Sequence, residues 1–137
     1  MEVLIDTNIL LDWFLKREQF YENSKKVLSL CWFGNIRSFL TVHSVCDMYY
    51  LLGNKFPLEE KKKLIQLLLN RSEIIEENKD DIKSFLTNKL YDDLEDCLQM
   101  QCAQNLSLNY IITRNVKDFK NSTVPAVTPE EFLEIVR

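Results

Sequence analysis

Five aspartates, far apart in the chain, are the residues best suited to chemistry: Asp6, Asp47, Asp93, Asp96 and Asp118. Brought together, carboxylates repel one another, which raises their pKa values or destabilises the fold. Divalent cations relieve that conflict. Mg²⁺ prefers hard oxygen ligands and keeps several waters, so a few carboxylates are enough to hold it. A cation held in this way activates a water and stabilises a phosphoryl transition state. This chemistry requires elements that carry the five acids to one place.

The pattern of apolar residues supplies such elements. Val3-Leu4-Ile5 is a short strand, and Asp6-Thr7-Asn8 breaks it with side chains that suit a helix start. Ile9, Leu10, Trp13 and Phe14 follow at helical spacing. A second helix is expected from about Gln19 to Trp32, with Phe20, Val27, Leu28 and Cys31 inward and Gly34-Asn35 as its stop. Phe39 to Val42 reads as a strand. A helix opening at His43 or Ser44 follows, with Val45, Met48, Tyr49 and Leu52 on one face. Pro57 restarts a helix at its first turn, running to Asn70, and Glu73 to Glu76 reads as a short strand. Asp80 to Thr87 looks helical, with Ile82, Phe85 and Leu86 apolar. The helix from Asp93 to Leu106 carries Leu94, Cys97, Leu98, Cys102 and Leu106 as a stripe. Tyr110 to Thr113 is a buried strand, Arg114 to Asn121 a polar turn, and Val124 to Val127 an edge strand. Thr128-Pro129-Glu130-Glu131 spells a helix start.

Strands alternating with helices predict an α/β sandwich with a central, mostly parallel sheet. Ligands of such sheets bind at the carboxyl ends of the strands, where helix N-termini also gather. Asp6 follows the first strand, and Asp47 lies near the start of the helix after the second. Asp93 and Asp96 open the helix before the Tyr110 strand, and Asp118 lies in the loop after it. All five fall at one edge.

Composition is consistent with one domain over residues 1–137. The chain is 46 % hydrophobic, with 2 Gly and 3 Pro, so regular structure should dominate. Its charge, 17 basic against 21 acidic residues, is −4. A global basic patch for nucleic acid is absent, and a bound cation would have to supply positive charge locally. The four cysteines make no C-x-x-C pair. A zinc site of the usual spacing is not expected, and reduced, buried thiols in a cytoplasmic protein are. Neither a signal peptide nor a membrane span is expected.

Each acid taken singly has a plainer reading. Asp6 reads as an N-cap, Asp93 and Asp96 as first-turn acids complementing the helix dipole, Asp118 as a turn residue and Asp47 as a solvated helix residue. Their shared edge weakens those readings as a set. His43 and Ser44, being adjacent on a helix, point in different directions and suggest no hydrolase triad. His43 reads as a structural residue.

Val3-Leu4-Ile5-Asp6-Thr7-Asn8-Ile9-Leu10-Leu11-Asp12 resembles the opening of PIN domains. Asp93-Leu94-Glu95-Asp96, Tyr110-Ile111-Ile112-Thr113-Arg114-Asn115 and Asp118-Phe119 resemble their carboxyl-terminal half. The resemblance implies a Rossmann-like three-layer α/β/α sandwich, Mg²⁺ or Mn²⁺, and endonucleolytic hydrolysis of single-stranded RNA. It implies acidic positions at Asp6, Asp47, Asp96 and Asp118, with Asp93 as an extra candidate ligand or a cap. It further implies Thr7, Asn8 and Asn115 as groups orienting the carboxylates. Arg114 is left between a phosphate contact and pairing with the acids. Many bacterial PIN domains of this length are VapC-like toxins, paired with an antitoxin and often dimeric. The chain departs from those toxins at Asp47, where Glu is usual. Two alternatives stand beside the ribonuclease. One is a degenerate PIN domain acting as a binding module. The other is a haloacid-dehalogenase-type phosphatase, which wants an Asp where Asn8 stands.

Overall fold

A computed structural model describes residues 1–137. Five parallel strands form one sheet: β1 (Glu2–Ile5), β2 (Arg37–Thr41), β3 (Glu73–Ile75), β4 (Tyr110–Ile112) and β5 (Ala126–Val127). Their order across the sheet is β3-β2-β1-β4-β5. Seven helices connect and cover them: α1 (Thr7–Phe14), α2 (Tyr21–Phe33), α3 (Val42–Leu52), α4 (Leu58–Arg71), α5 (Lys79–Thr87), α6 (Leu94–Asn105) and α7 (Pro129–Ile135). Short 3₁₀ turns occupy Gly53–Lys55 and Val116–Phe119. No helix is long and apolar enough to cross a membrane.

The central strands are buried on both faces, which explains their unbroken apolar runs. Side chains alternate across a strand. Val3, Ile5, Leu40 and Ile112 therefore join Leu10, Leu28, Met48, Leu68 and Phe132 in the larger core. Leu4, Phe39 and Ile111 face the other way, onto Met100, Ala103 and Phe119. The result is the expected three-layer sandwich. Each fully buried Leu or Ile stabilises it by about 1.5–3 kcal/mol relative to exposure.

Several boundaries and faces differ from the sequence expectation, for local reasons. The second strand ends at Thr41, not Val42, because Thr41 caps α3 by accepting from the Ser44 N–H. The α3 helix therefore begins ahead of His43. Pro57 stands just before α4 as its N-cap. Asn78 and Asp81 form a reciprocal capping box that starts α5 at Lys79. Ile82 and Leu86 are exposed, and among the cysteines only Cys46 is exposed. On α6 the buried face is broader than the expected stripe, because the helix packs on both the sheet and α5. It comprises Cys97, Gln99, Met100, Cys102 and Ala103, whereas Leu94 and Leu106 are exposed. Thr128 and Glu131 form the anticipated capping box with Pro129 at the first turn of α7. Gly34 ends α2 where a Cβ would lie 2.4 Å from the Leu30 carbonyl oxygen, so no side chain fits.

The order of strands reverses at β1, which has β2 on one side and β4 on the other. That reversal opens a crevice at the carboxyl ends of β1 and β4.

Candidate metal centre

Asp6 is the first residue beyond β1 and is 6 % exposed. It stands at the N-cap of α1, yet its carboxylate makes no capping hydrogen bond. It is turned instead toward β4 and α6. The Thr113 hydroxyl donates to Oδ2 at 2.7 Å, and Gln99 Nε2 donates to Oδ1 at 3.1 Å. Thr113 Oγ1 in turn accepts from the Asn115 N–H at 3.0 Å. Two neutral donors hold the carboxylate in one orientation without neutralising it.

The acids occupy two neighbouring hollows. A hollow of about 350 Å³ is lined by Asp6, Asn8, Asp47, Tyr50, Leu51 and Glu95. A second of about 440 Å³ is lined by Tyr91, Asp93, Asp96, Lys117, Asp118 and Lys120, among others. Asp96 connects them electrostatically. Its carboxyl is pushed up to about 7 by burial first, then by Asp93, Asp118, Asp6 and Glu95. Glu95 is likewise raised to about 7, by burial first and then by the neighbouring Asp47 carboxylate; His43 opposes the shift and Asp6 adds to it. None of the molecule's Lys or Arg ion pairs involves Asp6, Asp47, Asp96 or Asp118. Crowded carboxylates without basic partners, offering only hard oxygen donors, suit a divalent cation. The residues therefore fit Mg²⁺ or Mn²⁺.

The remaining candidates fall as follows. Asp93 is the N-cap of α6, accepting from the Asp96 N–H at 2.8 Å, so its capping role is real. Asp118 is exposed in the 3₁₀ turn after β4. Asn115 reaches the site through its backbone, by way of Thr113. Thr7 Oγ1 is buried without a hydrogen-bond partner, and Asn8 lines the Asp6 hollow.

Arg114 pairs with an acid, but with one outside the candidate set. Its Nε lies 2.6 Å from Asp12 Oδ2, an ion contact without hydrogen-bond alignment, and its guanidinium lies over Phe20 at 4.0 Å. Asp12 is fully buried, and Arg17 contacts its other oxygen at 3.2 Å. Arg114 is thus committed to a structural pair rather than free for phosphate.

Sequence reasoning passes over three participants. Gln99 interrupts an apolar stretch four residues after Glu95, the spacing that puts both on one helix face; that interruption was the available signal. Glu95 is hidden beside Asp96. His43 has the structural bonds expected of it, with its Nδ1 and its backbone N–H both held by Glu77 at 2.8 and 2.9 Å, but its place beside the acids is not evident from the sequence. Its ring also comes together with Asp47 and Glu95, one ligand atom from each lying within 4.8 Å of the others.

Comparison with known proteins agrees with the overall fold. Curated protein sequences give no match. Among solved structures, a toxin–antitoxin complex from Klebsiella pneumoniae superposes with a TM-score of 0.70 at 24 % identity, over 93 % of this chain and 97 % of that one. VapBC-1 from nontypeable Haemophilus influenzae gives 0.70 at 20 % identity, over 95 % and 99 %. VapC20 of Mycobacterium tuberculosis, a toxin that cleaves the sarcin–ricin loop, gives 0.64 at 8 % identity, over 80 % and 86 %. These likenesses concern the fold. A family model described as PIN domain matches residues 2–117, and the chain belongs to the PIN domain family.

Proposed function

We propose that this chain is a Mg²⁺- or Mn²⁺-dependent endoribonuclease acting on single-stranded RNA, and that all of residues 1–137 serve as one PIN domain. The observation that carries the reading is the crowding of acids around Asp96. Asp6 and Asp118, one from each hollow and both distant in sequence, stand close enough to act on it, and no Lys or Arg pairs with any of the three. Asp6, Asp96 and Asp118 would hold the cation, with Asp47 alongside and Asp93 contributing charge while capping α6. A bound cation supplies positive charge to the scissile phosphate and makes the attacking water more acidic. The chain's own residues do the rest. Thr113 and Gln99 fix the Asp6 carboxylate, and Asn8 lines the same hollow. Asp47 and Glu95 stand side by side in the Asp6 hollow, so one of them is placed to take the proton released by the water. Lys117 and Lys120, beside Asp118, offer the phosphate contacts that Arg114 does not.

Tyr50 is 82 % exposed and lines the Asp6 hollow. An exposed ring beside the acids is a stacking platform for an unpaired base, which favours single-stranded substrate. The structural neighbours described as toxin–antitoxin and VapBC complexes support the toxin role. That likeness supports an antitoxin protein as partner; a second copy of the chain and a cytoplasmic location belong to the proposal through the family resemblance alone. Membership in the PIN family displaces the phosphatase alternative.

Replacing Asp6→Asn tests the assignment. The variant is expected to keep its circular dichroism spectrum and lose Mn²⁺-dependent cleavage of a fluorescent single-stranded RNA. Undiminished cleavage by the folded variant would remove Asp6 from the site. A wild-type chain that binds Mn²⁺ without cleaving any RNA would favour the degenerate binding module.

A further inference from the structure

His43, Asp47 and Glu95 form a group whose chemistry differs from that of the all-oxygen site beside it. The nitrogen Nε2 of His43 is buried and has no hydrogen-bond partner, and it lies 4.0 Å from Glu95 Oε1. The other ring nitrogen, Nδ1, faces both oxygens of Glu77 at 2.8 and 2.9 Å, and the His43 backbone N–H donates to the same carboxylate at 2.9 Å. A carboxylate only accepts, so Nδ1 carries a ring proton, and in the neutral imidazole Nε2 then presents a lone pair. A histidine oriented by a carboxylate on one nitrogen, with the other nitrogen free, is the usual arrangement of a metal-binding imidazole. One ring nitrogen of His43 and one carboxylate oxygen from each of Asp47 and Glu95 lie within 4.8 Å of one another.

We propose that His43 Nε2, Asp47 and Glu95 form a separate site for a borderline divalent cation, Zn²⁺ in the first place, with the fourth position open to water. An imidazole nitrogen favours Zn²⁺ over Mg²⁺, which selects oxygen ligands. Tetrahedral bonds of about 2.1 Å put ligand atoms about 3.4 Å apart, so the three groups reach the ion by small side-chain adjustments. The site uses Asp47 in common with the acidic centre, but its nitrogen ligand and its metal preference are its own. It does not rest on the nuclease reading: a chain that cleaves no RNA can satisfy it, and an active nuclease can fail it.

The chain has one histidine, so an imidazole ¹⁵N spectrum of the tag-free, ¹⁵N-labelled protein reports on His43 alone. Cys46 lies three residues on and is exposed, and a Cys46→Ser background keeps its thiol from competing. Stoichiometric Zn²⁺ is expected to move the Nε2 resonance while Nδ1 stays protonated, and millimolar Mg²⁺ is expected to leave both in place. Glu95→Gln is expected to weaken Zn²⁺ binding at least about tenfold in a calorimetric titration. An imidazole unmoved at saturating Zn²⁺ overturns the site. So does a Zn²⁺ affinity that Glu95→Gln leaves unchanged, since the histidine would then be binding alone.

Discussion

Thr113 shows how one hydroxyl sets the geometry of a charged group. It is fully buried, donates to Asp6 and accepts from the Asn115 N–H, so its two bonds tie the end of β4 to the end of β1. Valine has nearly the same shape and neither bond. Thr113→Val is expected to cost about 1–3 kcal/mol in urea unfolding, because it strands buried polar groups. It is also expected to weaken Mn²⁺ binding about tenfold, as loss of an orienting partner does. Thr113→Ser should restore the affinity, and full Mn²⁺ affinity in the valine variant would show that Asp6 needs no such support. Asp6 itself illustrates why residue type alone leaves a role open. An Asp before a helix is ordinarily a cap, and only the direction of its side chain, toward Thr113 and Gln99, distinguishes a cap from a ligand.

Among the elements, α1 and the turn after β4 are joined by Asp12. The helix buries this carboxylate completely, and Arg114 and Arg17 meet it from outside the sheet. Removing one partner of a buried ion pair leaves a charge poorly compensated. Arg114→Met is expected to destabilise the chain by about 2 kcal/mol, less than the roughly 3–5 kcal/mol of a buried charge left wholly unpaired, because Arg17 remains; an unchanged urea midpoint would mean the pair contributes nothing.

Elements were also where the sequence was most readable. The layers follow from Val3-Leu4-Ile5 and Tyr110-Ile111-Ile112, whose unbroken apolar character demands cover on both faces; the order of the strands does not. The start of α7 was readable from four residues, Thr128 to Glu131. The edge that gathers Asp6, Asp47, Asp96 and Asp118 followed from topology. Contacts between side chains did not. Nothing in the spacing of His43 and Glu77, or of Asp12 and Arg114, says that they meet, because such pairs depend on how helices rotate on the sheet. The face assignment failed for the same reason on α6, where Leu94 and Leu106 are exposed.

For the whole molecule, the acids make stability and cation binding depend on each other. Glu95 and Asp96 titrate near 7 in the folded chain, against 4.5 and 3.8 as ordinary values. An acid that holds its proton more tightly when folded contributes stability below its unfolded pKa, and that contribution is lost as pH rises through the folded one. Metal-free protein should therefore lose this contribution between about pH 4 and pH 7, by a modest amount because both groups are largely solvated. Mn²⁺ binds the ionised acids, so it should raise the melting temperature more at about pH 8 than at about pH 5. Equal increments at both values would indicate that the ion binds elsewhere.

The account depends on the carboxylates at the ends of β1 and β4 sharing a cation, and anomalous diffraction from crystals soaked in Mn²⁺ tests that most directly. It predicts a peak with oxygen of Asp6 and Asp96 in the first coordination shell and Asp118 closing it directly or through water. A map with strong Mn²⁺ peaks elsewhere and none at this crevice would contradict it.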